Sequence, residues 1–208
     1  MSILNQLSSQ MRDRTEYSNR KVVAHCLDNP RLLAEIAQGL KSNDAAIIGD
    51  CAEVMTQVAE THPELVVPHA KILAPLLTHK TTRVRWEAMH ALSLVASLKP
   101  RLIASLLPLL SEMIQHDTSV IVRDYAVDAI ANYATTGKQA AQNAYPYLKQ
   151  ALTAFDGKQA GHALNGLANV ASALPQLAPE LHKIGEYYLN NRRGVVRKAA
   201  KKLIQAAE

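Results

Sequence analysis

One helical pattern returns along this chain at an almost constant distance, and that periodicity restricts the fold more than any other feature. The stretch Thr82–Pro100, TRVRWEAMHALSLVASLKP, places Val84, Ala88, Ala91, Leu92 and Val95 at spacings of three and four, the period of one buried helix face. Aligned on a small residue, the pattern recurs at Cys51, Ala88, Ala126, Ala163 and Ala200, with steps of 37, 38, 37 and 37 residues. A fixed period in this range marks a stacked array of supersecondary units. Each unit buries its apolar side only against its neighbours, so a single domain with a continuous core is predicted over residues 1–208.

The composition says what such a core is made of. Apolar residues make up 48% of the chain but aromatic residues only 4%. The core must be Ala, Leu, Val and Ile, which suits closely packed helices. No Val/Ile/Thr run alternates with period two, so essentially no sheet is expected. The predicted repeats are 30–62, 63–99, 100–137, 138–174 and 175–208, after a charged N-terminal cap over 1–29 in which Val22, Val23, Cys26 and Leu27 supply an apolar stripe. Each repeat opens its first helix at or near Pro30, Pro63, Pro100 or Pro175, with Lys138 in the fourth slot; proline is tolerated there because the first-turn N–H has no partner anyway. Polar turns at Ser42–Asp44, His79–Thr82, His116–Ser119, Asp156–Gly157 and Asn190–Gly194 lead into the second helix, where Asn, Asp, Ser and Thr can cap it. Further prolines, Pro68, Pro75, Pro108, Pro146 and Pro179, are predicted inside the first helices. Each should remove a hydrogen bond and bend its helix.

These residues resemble the HEAT repeat of the wider HEAT/armadillo superfamily. The family pattern has a proline in the first helix, a turn Asp or Asn, and Val-Arg followed by spaced Ala and Leu in the second. The matching residues are Val84-Arg85, Ala88 and Ala91-Leu92; Val122-Arg123, Ala126 and Ala129-Ile130; and Val196-Arg197, Ala200 and Leu203-Ile204. Ile48 and Ala160 stand where two copies should carry the Arg, and Gln159 replaces a Val. The resemblance covers roughly residues 30–208. It implies an all-α, right-handed α-α superhelix of about five helical hairpins plus the cap. It also implies that Arg85, Arg123 and Arg197 pair with acidic side chains of the next repeat, and that the second helices line the concave side. It is nearly silent on function.

Numbered from the anchor, positions −2, +2 and +6 of each second helix lie opposite the core face. Read along the chain, −2 and +2 are Gly49/Glu53, Trp86/His90, Asp124/Asp128, Gly161/Asn165 and Lys198/Lys202, with Asn132 and Asn169 among the residues at +6. Trp86, His90, Asp124, Asp128, Asn132, Asn165, Asn169, Lys198 and Lys202 are therefore the candidate partner-binding residues. Trp86 is the only Trp, the kind of anchor that dominates interface energy, although it could equally fold over Met89 or Leu94. Asp124 and Asp128 lie one turn apart, with no His or third carboxylate at metal-ligand spacing on their helix. With Lys198 and Lys202 they would make a groove acidic in the middle and basic at one end, a polarity that could orient an extended peptide.

The formal net charge is +5, and all of the excess is local. Residues 1–180 hold 16 basic and 16 acidic side chains; residues 181–208 hold seven basic against two acidic. Arg192, Arg193, Arg197, Lys198, Lys201 and Lys202 form a candidate anion-binding patch. It is open to nucleic acid, an acidic protein surface or lipid, but lacks the aromatic side chains that stack on bases. Cys26 and Cys51 sit in apolar helical patterns and read as buried free thiols, which fits a cytoplasmic protein. No apolar run has signal-peptide or membrane-span length. None of the eight His shows metal-ligand spacing, and no P-loop, GxGxxG or GxSxG occurs, so neither metal nor cofactor is expected and no catalytic residue is assigned. A HEAT-like fold also occurs in enzymes that remove alkylated bases from DNA, for which only Trp86 with Asp124 or Asp128 could serve. The expected function is a non-catalytic scaffold or adaptor that binds a protein or peptide. Polyanion binding through the basic helix is the alternative and base excision a minor one.

Overall fold

The computed structural model describes residues 2–208 and is helical throughout; among the described residues there is no strand. The Cα positions group into two units, one ending at Leu98 and one spanning Lys99–Glu208.

In the first unit a 3-10 turn, Ile3–Gln6, precedes α1 (Tyr17–Asp28), and together they form the N-terminal cap. Pro30 opens a 3-10 turn that runs into α2 (Leu33–Gly39), followed by α3 (Ala45–Thr61). Asp44 caps α3 by accepting from the Ala46 N–H at 2.8 Å. The next first helix is not continuous. It is broken into α4 (Pro63–Val66), a 3-10 turn Val67–His69, α5 (Ala70–Leu73) and a 3-10 turn Ala74–Thr78, before α6 (Thr82–Val95). Pro68 and Pro75 each lack the N–H that would continue the ladder. Two such losses within one short helix fragment it rather than bend it. Helix α3 packs against α1 on one side and α6 on the other. Its apolar residues Ile48, Cys51, Met55 and Val58 are buried, as are Val22 and Cys26 of α1 and Val84, Ala88 and Leu92 of α6. Packing is close enough that a Cβ on Gly39 would lie 2.4 Å from the Cys51 sulfur.

The second unit contains α7 (Pro100–His116), α8 (Val120–Ala134), α9 (Lys138–Ala151), the single turn α10 (Ala154–Gly157), α11 (Ala160–Ala173), a 3-10 turn Pro175–Leu177, α12 (Ala178–Tyr188) and α13 (Gly194–Ala206). Pro108 and Pro146 sit inside continuous helices, whereas Pro179 falls in the first turn of α12, where its missing N–H is harmless. The second helices α8, α11 and α13 stack in series, and the first helices α7 and α9 pack beside them. A Cβ on Gly166 would come within 2.7 Å of Leu148 Cδ2 and 2.9 Å of the Ala131 Cβ, which is why α11 carries glycine where it meets α8 and α9. Turn α10 departs from a right-handed helix: Phe155 (φ 47°), Asp156 (φ 55°) and Gly157 (φ 70°) are consecutive left-handed residues.

The repeated arginines have a role that spacing did not suggest. Arg85 Nη1 donates to the carbonyl of His79 at 2.9 Å, Arg123 Nε to that of Asp117 at 2.6 Å and Arg197 Nη1 to that of Asn191 at 2.9 Å. Each partner lies six residues back, in the turn before the helix. The guanidinium thus ties the inter-helix turn to the helix it introduces, satisfying carbonyls that have no helical partner. Arg123 also donates to the Ile114 carbonyl at 3.1 Å and lies 3.8 Å from the Phe155 ring centroid, so it reaches the following hairpin through an aromatic face.

Candidate partner-binding faces

In the first unit the predicted residues Trp86 and His90 are half-buried on α6. The neighbouring positions Gly49 and Glu53, expected on the same open face, are buried. Asp50, Glu53 and Glu87 are each at most 7% exposed. The covering material is the cap. The Ser9 N–H donates to Asp50 Oδ2 at 2.7 Å, and Asn19 Nδ2 donates to Asp50 Oδ1 at 3.2 Å and Glu53 Oε2 at 3.1 Å. Arg83 crosses Gly49, where a Cβ would lie 3.1 Å from its Nη1, and binds Asp50 at 2.7 Å and Glu53 at 2.5 Å. Burial pushes the Asp50 carboxyl up, but the bonds from Ser9, Arg83 and Asn19 outweigh it and hold it below its usual value. At Glu87 the balance is reversed: burial, reinforced by the charge of Glu53, outweighs the lowering by Thr56 and Arg83 and raises it from 4.5 to about 7. Arg83 thus binds two of the three carboxylates, Asp50 and Glu53.

In the second unit Asp124 and Asp128 are half-exposed on α8 and meet a residue from α11 that the sequence reading passed over. His162 Nδ1 lies 2.7 Å from Asp128 Oδ1, and its Nε2 lies 3.9 Å from Asp124 Oδ1. The bond to Asp128 raises the His162 pKa above its usual value against the opposing effect of burial. Burial raises Asp124, partly offset by His162 and by Gln159, whose Nε2 donates to Asp124 Oδ1 at 3.2 Å. Asn169 spans the same pair of helices, with Nδ2 on the Ala131 carbonyl at 3.0 Å. Asn132 is half-buried and Asn165 exposed. These contacts join residues 34, 35 and 38 apart. A search for partners one repeat away, rather than along one helix, would have found His162.

On α13 Lys198, Lys201 and Lys202 are exposed, as is Arg192 just before it. Two members of the predicted basic patch are committed locally: Arg197 to its turn, and Arg193 Nη1 to the Lys158 carbonyl at 2.7 Å and that of Gly157 at 3.4 Å. Phe155, 36% exposed, lies between the Arg123 guanidinium and Lys158 Nζ, which is 4.2 Å from its ring centroid. Among the described residues no group of three or more His, Cys, Asp or Glu is arranged to hold a metal ion, and no helix is long and apolar enough to cross a membrane.

No protein-family model and no curated protein matches the chain. Solved structures do. A designed armadillo repeat protein, YIII(Dq)4CqI, matches with a TM-score of 0.76 at 18% identity, covering 99% of this chain and 98% of that one. A related design, in complex with the peptide (KR)4, gives 0.76 at 20% identity over 99% and 98%. Armadillo repeat proteins computationally designed for modular peptide recognition give 0.72 at 19% over 98% of each chain. The fold is therefore the armadillo-like helical-repeat solenoid, in agreement with the HEAT-like reading of the sequence.

Proposed function

We propose that this chain is a non-catalytic interaction module of cytoplasmic type that takes a polypeptide partner on its second-helix faces. The partner-binding residues would be Trp86 and His90 in the first unit and Asp124, Asp128, Asn132, Asn165, Asn169, Lys198 and Lys202 in the second. The observation that carries the reading is the half-exposed polar surface of α8 and α11. A wall serving only to stack helices would bury small apolar residues at these positions, yet Asp124, Asp128 and His162 all remain partly open to solvent. The designed protein of the same fold carries a bound peptide, which supports a polypeptide as the class of partner.

The test is selection from a random linear-peptide library. Selected peptides should quench or shift Trp86 emission or lose affinity on Asp124→Asn/Asp128→Asn. A library yielding no peptide above background, or peptides indifferent to all of these positions, would overturn the reading.

A second reading has its own observation. Arg192, Lys198, Lys201 and Lys202 are exposed, and none makes a side-chain hydrogen bond or ion pair among the described residues. Such a face suits a polyanion. Four phosphate contacts would give a log–log salt slope of about −3 to −4 on duplex DNA, and Lys198→Glu/Lys202→Glu should abolish it.

A further inference from the structure

Gln159 is fully buried, and its side-chain oxygen has no hydrogen-bond partner. Its orientation is not arbitrary: the Asp124 carboxylate accepts, so the amide nitrogen must face it and the oxygen is left over. A buried acceptor without a donor calls for an explanation. The group its amide nitrogen meets, Asp124, is an acceptor too. Asp124 and Asp128 offer carboxylate oxygens, and His162 in its neutral form can supply only one N–H, already held by Asp128. The cluster is thus short of donors and of positive charge.

We propose that Asp124, Asp128, Gln159 and His162 form a seat for one cationic side chain, arginine or lysine, of a bound polypeptide, and that a proton on His162 closes it. The inference rests on the preceding reading that this face takes a polypeptide. The geometry supplies the gate. The imidazole stands between the two carboxylates, 2.7 Å from one and 3.9 Å from the other. Protonated, it is itself the cation of the site and its ring neutralises part of the charge. Neutral, it leaves the two carboxylates for an incoming guanidinium, a fork of donors suited to such a pair, with the Gln159 oxygen the buried acceptor of the amide that meets Asp124. The other charged group that His162 feels is Arg193, from the turn before α13. It disfavours the proton on His162, but its guanidinium is already bound to the carbonyls of Gly157 and Lys158, so it does not occupy the seat. Asp124, Asp128 and His162 are all partly solvent-exposed, so an extended chain can reach them.

Proton and ligand then compete, and the competition has a size. A histidine titrating above its ordinary value of about 6.5 is at least about ten-to-one protonated at pH 5.5 and gives up its proton as pH rises through that raised value. The affinity for a cationic ligand should therefore rise about tenfold or more over that span. The probe is a fluorescein-labelled acetyl-tetraarginine amide, followed by anisotropy at constant ionic strength. The expected result is this rise in the wild type, a flat profile in His162→Gln, an unchanged profile in His182→Gln, and weak binding at every pH in Asp128→Asn. A parallel readout needs no substitution: adding the probe should lower the His162 pKa seen by imidazole NMR, because linkage is reciprocal. A flat wild-type profile, or a rise that survives His162→Gln, overturns the seat. If library peptides bind at the second-helix face but the arginine probe does not, the seat is wrong and the scaffold stands; if none binds, both fall.

Discussion

Replacing Glu87 by Gln should remove a pH dependence built into the first unit. Glu87 is 7% exposed, and burial with the nearby charge of Glu53 raises its carboxyl from 4.5 to about 7. In the unfolded chain it returns to the ordinary value. The native state therefore holds a proton that the unfolded state has already lost, and the proton favours folding. That stabilisation is complete below about pH 4.5 and is lost as pH rises through 7. At about 1.4 kcal/mol per pKa unit, the difference comes to about 3 kcal/mol. Glutamine mimics the neutral carboxyl in shape, so it leaves the low-pH stability nearly unchanged and abolishes the loss. Relative to wild type, Glu87→Gln should be near neutral at pH 4.5–5 and more stable by about 3 kcal/mol at pH 8, with the crossover between. The assay is urea unfolding at half-unit pH steps, followed by the emission of Trp86, the chain's single Trp and the immediate neighbour of the substituted residue. Other titrating groups are common to both proteins and cancel in the difference. A wild-type minus variant difference that stays constant between pH 5 and 8 would refute the reasoning, because it would mean that Glu87 ionises in the native state as freely as in water.

Arg123→Ala removes hydrogen bonds to the Asp117 and Ile114 carbonyls from a residue that is 5% exposed. It should destabilise the second unit by about 2–3 kcal/mol in thermal or urea unfolding, with Arg123→Lys intermediate, since an ammonium cannot fork to both carbonyls. Gly166→Ala inserts a methyl where Leu148 and Ala131 already lie within 3 Å of it, and should cost about 1–3 kcal/mol by the same measurement. Burial pushes the Cys26 thiol up to about 11 and that of Cys51 to about 12. Both should therefore resist a thiol reagent at pH 8 in the native protein and react only at the rate of unfolding, as timed labelling with and without urea would show.

Much of the fold was legible because its repeat is written in residue spacing. The anchors Cys51, Ala88, Ala126, Ala163 and Ala200 are buried without exception, and Pro63, Pro100 and Lys138 each open a helix as predicted. Helical period and a missing N–H are local properties, so a linear reading recovers them. Less was legible where the same residue type meets different surroundings. Proline at 108 or 146 sits in a long helix, while the pair at 68 and 75 breaks a helix into pieces. The helical wheel placed Glu53 and Gly49 with Trp86 and His90 because it treats every hairpin as identical. It has no knowledge that a cap, through Ser9 and Asn19, covers the first one.

The partly open faces divide in the same way. Sequence alone determined which side of each second helix carries Asp124, Asp128, Asn165, Lys198 and Lys202, because one helix fixes the angle between its own side chains. Tertiary structure alone decided what those side chains meet. It set His162 between two aspartates from the preceding repeat, laid Arg83 over Gly49, and turned Arg85, Arg123 and Arg197 back onto their own loops. Such pairings depend on the rise and rotation from one helix to the next, and no single helix contains that information.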